Sequence, residues 1–216
     1  MTVDKRTAGR FAIASGIVII LAAIVLVIFW LVEAPALVAS GDVDRVTVFG
    51  STNDALVALA LLLLVPVAIF VDRAGHPGSL HRIAGGVGVA GLVLGGVFQF
   101  VNALRLIDYG TNTIIVGVAF VLVGAWLVAL SVPAGTGALF SRGARRAGAL
   151  AGLSFLLIGG FVAIAGPSAV TDPQAMMSSP VLVALIGFGT AGLHLVTPVW
   201  AILTGRRWIA ATQVSS

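Results

Sequence analysis

Six long apolar runs separated by short polar stretches dominate the chain, over residues 11–32, 55–71, 83–104, 114–132, 147–165 and 181–203. None carries a charged residue until its end, and each reaches the ~17 residues that a helix needs to cross a bilayer. Unpaired backbone groups are intolerable in lipid, so such runs are predicted to be helices. The expected fold is an all-α integral membrane protein with six transmembrane helices in one domain spanning residues 1–216. Polar residues punctuate the runs where helices should start. Asp54 precedes the second, Asn112 and Thr113 the fourth, and Ser179-Pro180 the sixth, as N-cap and first helical position. The segment from Glu33 to Asp54, with Val43, Val46, Val48 and Phe49, has room for a short strand or an interfacial turn. The first run follows Lys5, Arg6 and Arg10 in the manner of a signal peptide, but it exceeds the usual h-region of about 7–15 residues. An uncleaved first span is expected.

Composition agrees with this pattern. Of the 216 residues 59% are hydrophobic and 9% charged, which excludes an ordinary water-soluble globule and a disordered chain alike. The net charge of +4 would suggest a nucleic-acid partner if the charges formed a groove, but they cluster at span ends. Lys5, Arg6, Arg10, Arg73, Arg82, Arg142, Arg145, Arg146, Arg206 and Arg207 fall on one side, and only Arg45 and Arg105 on the other. The positive-inside rule then places both termini in the cytoplasm. Trp30 and Trp208 are positioned as aromatic anchors at the two interfaces. An Ala/Gly/Val/Arg-rich, lysine-poor chain suggests a GC-rich bacterial genome and hence a bacterial cytoplasmic membrane. The lipid bilayer is the one partner implied directly, and no nucleic acid is expected.

The odd-numbered spans open on Arg6-Thr7-Ala8-Gly9, Arg82-Ile83-Ala84-Gly85 and Arg145-Arg146-Ala147-Gly148, and the even-numbered ones carry Pro66, Pro133 and Pro198 at intervals of one hairpin. Three repeated helical hairpins about an axis along the membrane normal would produce this pattern. Ala84, Gly88, Gly91 and Gly95 form a stripe along the third span, a helix-packing seam that lets backbones approach closely. That stripe places the third span at the centre of the bundle, or against a second copy or another membrane protein.

Polar groups at membrane depth are the place to look for function, because each costs energy unless paired or hydrated. Thr190, His194 and Thr197 share one face of the sixth span, and Gln99, Asn102 and Arg105 share one face of the third. Counting ~1.5 Å per residue puts Ser154 of the fifth span at the depth of His194, with Gln99 nearer the outer side. Ser154, or a backbone carbonyl of the fifth helix, is therefore the expected partner of a neutral His194.

Several chemistries lack their residues. Without cysteine there is no thiol nucleophile or Cys-ligated metal, and Lys5, the one lysine, lies outside the spans. His76 and His81 flank Pro77-Gly78 at no metal-binding spacing, and no phosphate-cradling loop occurs. No cofactor or metal is expected. Ser154 and His194 invite comparison with the rhomboid intramembrane proteases, but Gly152-Leu153-Ser154-Phe155 departs from that family's GxSG motif and sits in the fifth span rather than the fourth. The leading expectation is a non-enzymatic subunit, regulator or structural partner. The alternative is a small-solute transporter or channel with a polar site around His194, Thr190 and Gln99. A polar cavity joining Gln99 or Asn102 to Thr190 and His194 would favour the alternative.

Overall fold

A computed structural model describes residues 3–41, 47–74, 79–132, 139–171 and 178–213. The side chains of residues 79–82 and 166–171 are outside that description, as are His76, Pro133 and the side chain of His81. The described residues form helices only: α1 (Lys5–Val32), α2 (Ala34–Ser40), α3 (Val48–Ala74), α4 (Ser79–Ala103), α5 (Tyr109–Ser131), α6 (Arg142–Thr171) and α7 (Pro180–Gln213). All but α2 contain a stretch long and apolar enough to cross a membrane.

The six long helices form a closed ring. Each packs on its neighbours in chain order, and α1 closes the circle by packing on both α3 and α7. The third span, expected at the centre, is instead one member of the ring like the others. The outward faces carry the side chains that lipid would cover, such as Ile24, Leu31, Phe188 and Leu195.

Backbone contacts set the spacing. A Cβ on Gly124 would stand 2.7 Å from Gly152 O, and one on Gly152 2.8 Å from Gly124 O, so α5 and α6 cross with almost nothing between them. Gly9 and Gly205 hold α1 against α7 in the same way. Within the stripe on α4, Gly88 lies against the ring of Trp126, Gly91 against the backbone of residues 119 and 123, and Gly95 between Leu61 of α3 and Ala119 of α5. Contact between these small residues and neighbouring helices replaces the hydrophobic drive that lipid does not provide.

The half of the ring nearest the chain termini is filled with aromatic side chains. Trp126 meets Trp200 edge-on at 6.0 Å between centroids, Phe140 stacks on Trp200 at 6.5 Å, and Phe140 and Phe70 both pack on Trp208. Trp208 is fully buried and donates its Nε1–H to Leu139 O at 2.8 Å, so it is a core residue and not an interface anchor. Trp30 is 53% exposed.

Helix ends differ from the expected ones in an instructive way. Asp54 does not precede α3 but lies within it, because the helix begins at Val48. Its first N–H groups are satisfied from a distance: the Glu33 carboxylate accepts from Val48 N at 2.8 Å, Phe49 N at 2.9 Å and Gly50 N at 3.3 Å. Glu33 also ends α1 and begins α2, a short helix that Gly41 closes at φ +66°. Of the residues that had room for a short strand or turn, Val48 and Phe49 open α3, and Val43 and Val46 lie outside the described residues. Asn112 and Thr113 likewise lie inside α5, whose cap is Asp108. Hydrogen bonds from Thr111 hold the Asp108 carboxyl below its usual range, and those from Thr7 do the same for Asp4. Each cap therefore adds stability above the ordinary carboxyl pKa that is lost as pH falls through the lowered one. Ser179 takes its expected place, accepting from Leu182 N at 3.4 Å. Glu33→Gln, which leaves one strong acceptor for three donors, is expected to cost about 1 kcal/mol and to speed amide exchange at residues 48–50. Unchanged exchange there would show that the cap is redundant.

Candidate functional site

Opposite the aromatic cluster the interior of the ring is not filled. It encloses a cavity of about 340 Å³, lined on one wall by Asn53 and Asp54 of α3 and by Gln99, Asn102 and Arg105 at the α4 end. Tyr109 and Asn112 of α5 and Thr190 and His194 of α7 continue the polar lining. Leu26, Phe29 and Trp30 of α1 and Ile158, Phe161 and Val162 of α6 make it apolar elsewhere. Phe120 and Leu193 form part of the floor, and Phe120 packs edge-on against Phe155 at 5.1 Å in the filled half below.

A polar network crosses this space. Nδ1–H of His194 donates to Thr190 O at 2.9 Å, and Nε2 lies 3.3 Å from Asn53 Oδ1. Asn53 and Asn102 both reach the neighbouring carboxylate Asp54, with Asn102 Nδ2 donating to Asp54 Oδ2 at 2.7 Å. The charge of Arg105 lies within electrostatic reach of the same group. Helices α3 and α7, separated by α1 around the ring, thereby bring polar side chains face to face across the lumen.

Arg105 owes its position to an unusual turn. Arg105 N donates to Asn102 O at 2.8 Å and Leu106 N to Val101 O at 3.1 Å, the two bonds of a Schellman motif. Arg105 occupies the left-handed position at φ 55°, where glycine is favoured and a side chain costs about 1–2 kcal/mol. Three buried polar atoms of the lining have no hydrogen-bond partner among the described residues: Asn102 Oδ1, Asn112 Oδ1 and Arg105 Nε.

The residues expected from the sequence divide into two groups. Gln99, Asn102, Thr190 and His194 line the cavity; Ser154 and Thr197 do not. Ser154, the expected partner of His194, donates to Leu150 O of its own helix at 2.8 Å and packs against Gly192. Thr197 is fully buried, below the floor, with its hydroxyl unpartnered. Pro198 next to it supplies no N–H to the carbonyl of His194, one turn earlier.

Asn53, Asp54, Tyr109 and Asn112 were missed as lining residues. A signal existed: Asn53, Val57, Leu61, Leu64 and Ala68 recur at helical spacing, and the last four are buried. Outside the ring, a second groove of about 310 Å³ between α1 and α7 is lined by apolar side chains such as Ile20, Ile24 and Val199, and reaches His194 from the lipid-facing side. Comparison with protein-family models, curated proteins and solved structures gave no match to this chain.

Proposed function

We propose that this chain is a solute carrier of a bacterial cytoplasmic membrane, with the cavity as its binding cup. One observation carries the reading: Gln99 and Asn102 of α4 line the same lumen as Thr190 and His194 of α7. A structural or regulatory subunit, which composition alone favours, needs no such space, and buried polar atoms without partners are costly unless something fills it. The distribution of Lys and Arg orients the termini to the cytoplasm, so the cup faces outward and the aromatic cluster is the closed inner gate. Thr197 and Thr204, buried with unpartnered hydroxyls, continue the α7 face of Thr190 and His194 into that gate and would line the path when it parts. No hydrolytic step enters this reading, since Ser154 bonds a backbone carbonyl and shares no hydrogen bond with His194. The three-hairpin arrangement belongs to the same reading. Gly9 and Gly85 each open an odd-numbered span and meet Gly205 and Asp72 near the end of the preceding span around the ring; Gly148 meets Ser131 in the same way but lies nearer still to Trp200 of α7.

The cysteine-free chain permits direct tests. Val116→Cys, inside the cup, is expected to react in intact cells with a small hydrophilic thiol reagent, as is Thr111→Cys at the rim. An inert Val116→Cys beside a reactive Thr111→Cys would mean a dry lumen and end the carrier reading. Orientation has its own control: Gly143→Cys, exposed at the opposite face, should react only after permeabilisation, and reaction in intact cells would reverse the topology.

A further inference from the structure

We propose that the cup takes a small zwitterion with an apolar side chain, the chemistry of a free hydrophobic α-amino acid. This rests on the cup being open to water, as the carrier reading requires. Charge is the first ground. Asp54 and Arg105 are the carboxylate and guanidinium among the described lining residues, one of each sign. A simple organic cation entering the lumen meets Arg105 and a simple anion meets Asp54, each at close range in a poorly screened space. A zwitterion meets an opposite charge at each end.

Unmet hydrogen bonds are the second ground. Asn102 spends its amide N–H on Asp54, which leaves its oxygen bare, and the oxygen of Asn112 is bare as well. Both residues are 3% exposed and both oxygens accept only, so a ligand that reached them would have to be rich in donors, as an ammonium is. The unpartnered Nε–H of Arg105 calls for an acceptor, and a carboxylate matches the edge of a guanidinium better than any neutral group does. The third ground is the remaining wall. Phe120, Phe161 and Leu193, with Ile158 and Val162, make one side of it apolar, which suits a hydrocarbon or aromatic side chain. At roughly 30 Å³ per water the cavity holds on the order of ten waters, or a solute of about that many non-hydrogen atoms.

The test uses the full chain in nanodiscs, with L-leucine and L-phenylalanine as probes and two truncations of the latter, phenethylamine and 3-phenylpropanoate. Binding is read by calorimetry and by protection of Val116→Cys from labelling. At least one amino acid should bind, and each truncated analogue should bind at least about tenfold more weakly than L-phenylalanine. In Arg105→Gln the advantage over phenethylamine should vanish, and in Asp54→Asn the advantage over 3-phenylpropanoate. Should either variant fail to fold, the analogue series on the parent chain decides alone. An unreactive Val116→Cys removes the cup and this inference together. A reactive Val116→Cys that neither amino acid protects, with no heat of binding, overturns the ligand class and leaves the cup standing. An analogue that binds as tightly as L-phenylalanine overturns it too.

Discussion

Gly205→Leu is expected to destabilise the ring by about 3 kcal/mol, the upper part of the usual range for overpacking. The reason is geometric. A Cβ at this position runs into Gly9 O, and 2.7 Å away lies Ile13 Cγ1, with Ile13 N at 3.2 Å. A side-chain end could turn aside, but the two backbone atoms move only if α1 and α7 separate. That contact closes the circle at the end away from the cup, so its loss also parts α1 from α7 beside the buried Trp208. Gly187→Leu is the matched control, because a Cβ there meets nothing within 4 Å, and its effect should stay within about 0.5 kcal/mol. Unfolding of both variants in the same detergent would measure the difference. Equal stabilities would show that the α1–α7 contact does not hold the ring together.

Arg105 should separate stability from binding. At φ 55° the left-handed conformation penalises any residue with a Cβ, so Arg105→Gly is expected to be more stable than Arg105→Ala by about 1 kcal/mol. That order is the reverse of the one seen inside a helix. Both variants remove the guanidinium and leave Asp54 without its positive neighbour. Amino-acid binding should then fall by about thirtyfold in each, the scale of a charge-assisted hydrogen bond. Backbone strain retained at a position where glycine would fit is a mark of function. A glycine variant that gains stability and binds as before would show that the strain serves nothing here.

The six spans were legible because nothing but a crossing helix explains charge-free runs of that length. The lining of the cup was legible only in part, and the reason lies in what polar residues near a span boundary do. Asp and Asn are both the favoured caps of a helix and the residues that point into a wet lumen, so Asp54 and Asn112 fit two structures equally until the true helix start is known. Glu33 decides the matter for Asp54 by capping α3 from 15 residues away at Val48, a contact no local pattern announces. His194, Thr190, Gln99 and Asn102 stood out because they interrupt apolar runs. Ser154 did too, yet depth along the membrane says nothing of azimuth around a helix, and its hydroxyl turned to its own backbone. Trp208 misled for a related reason. It follows Arg206 and Arg207, where an interfacial residue belongs, but it also continues the spacing of Thr197, Ala201 and Thr204, all fully buried.

The closed ring has a consequence for how the protein is made. Its first helix cannot meet one of its two main neighbours until the last helix has been synthesised, on the order of ten seconds later at ordinary translation rates. During that interval α1 stands in the bilayer with Gly9 and Gly16, which later lie against α7, facing lipid instead of protein. Among the six spans α1 is the most apolar and α7 the least. The first helix can therefore wait in lipid unaided, while the last, carrying Thr190, His194, Thr197 and Thr204, enters a membrane in which its place has already been built. Its insertion should depend on the five helices before it more than theirs depends on it.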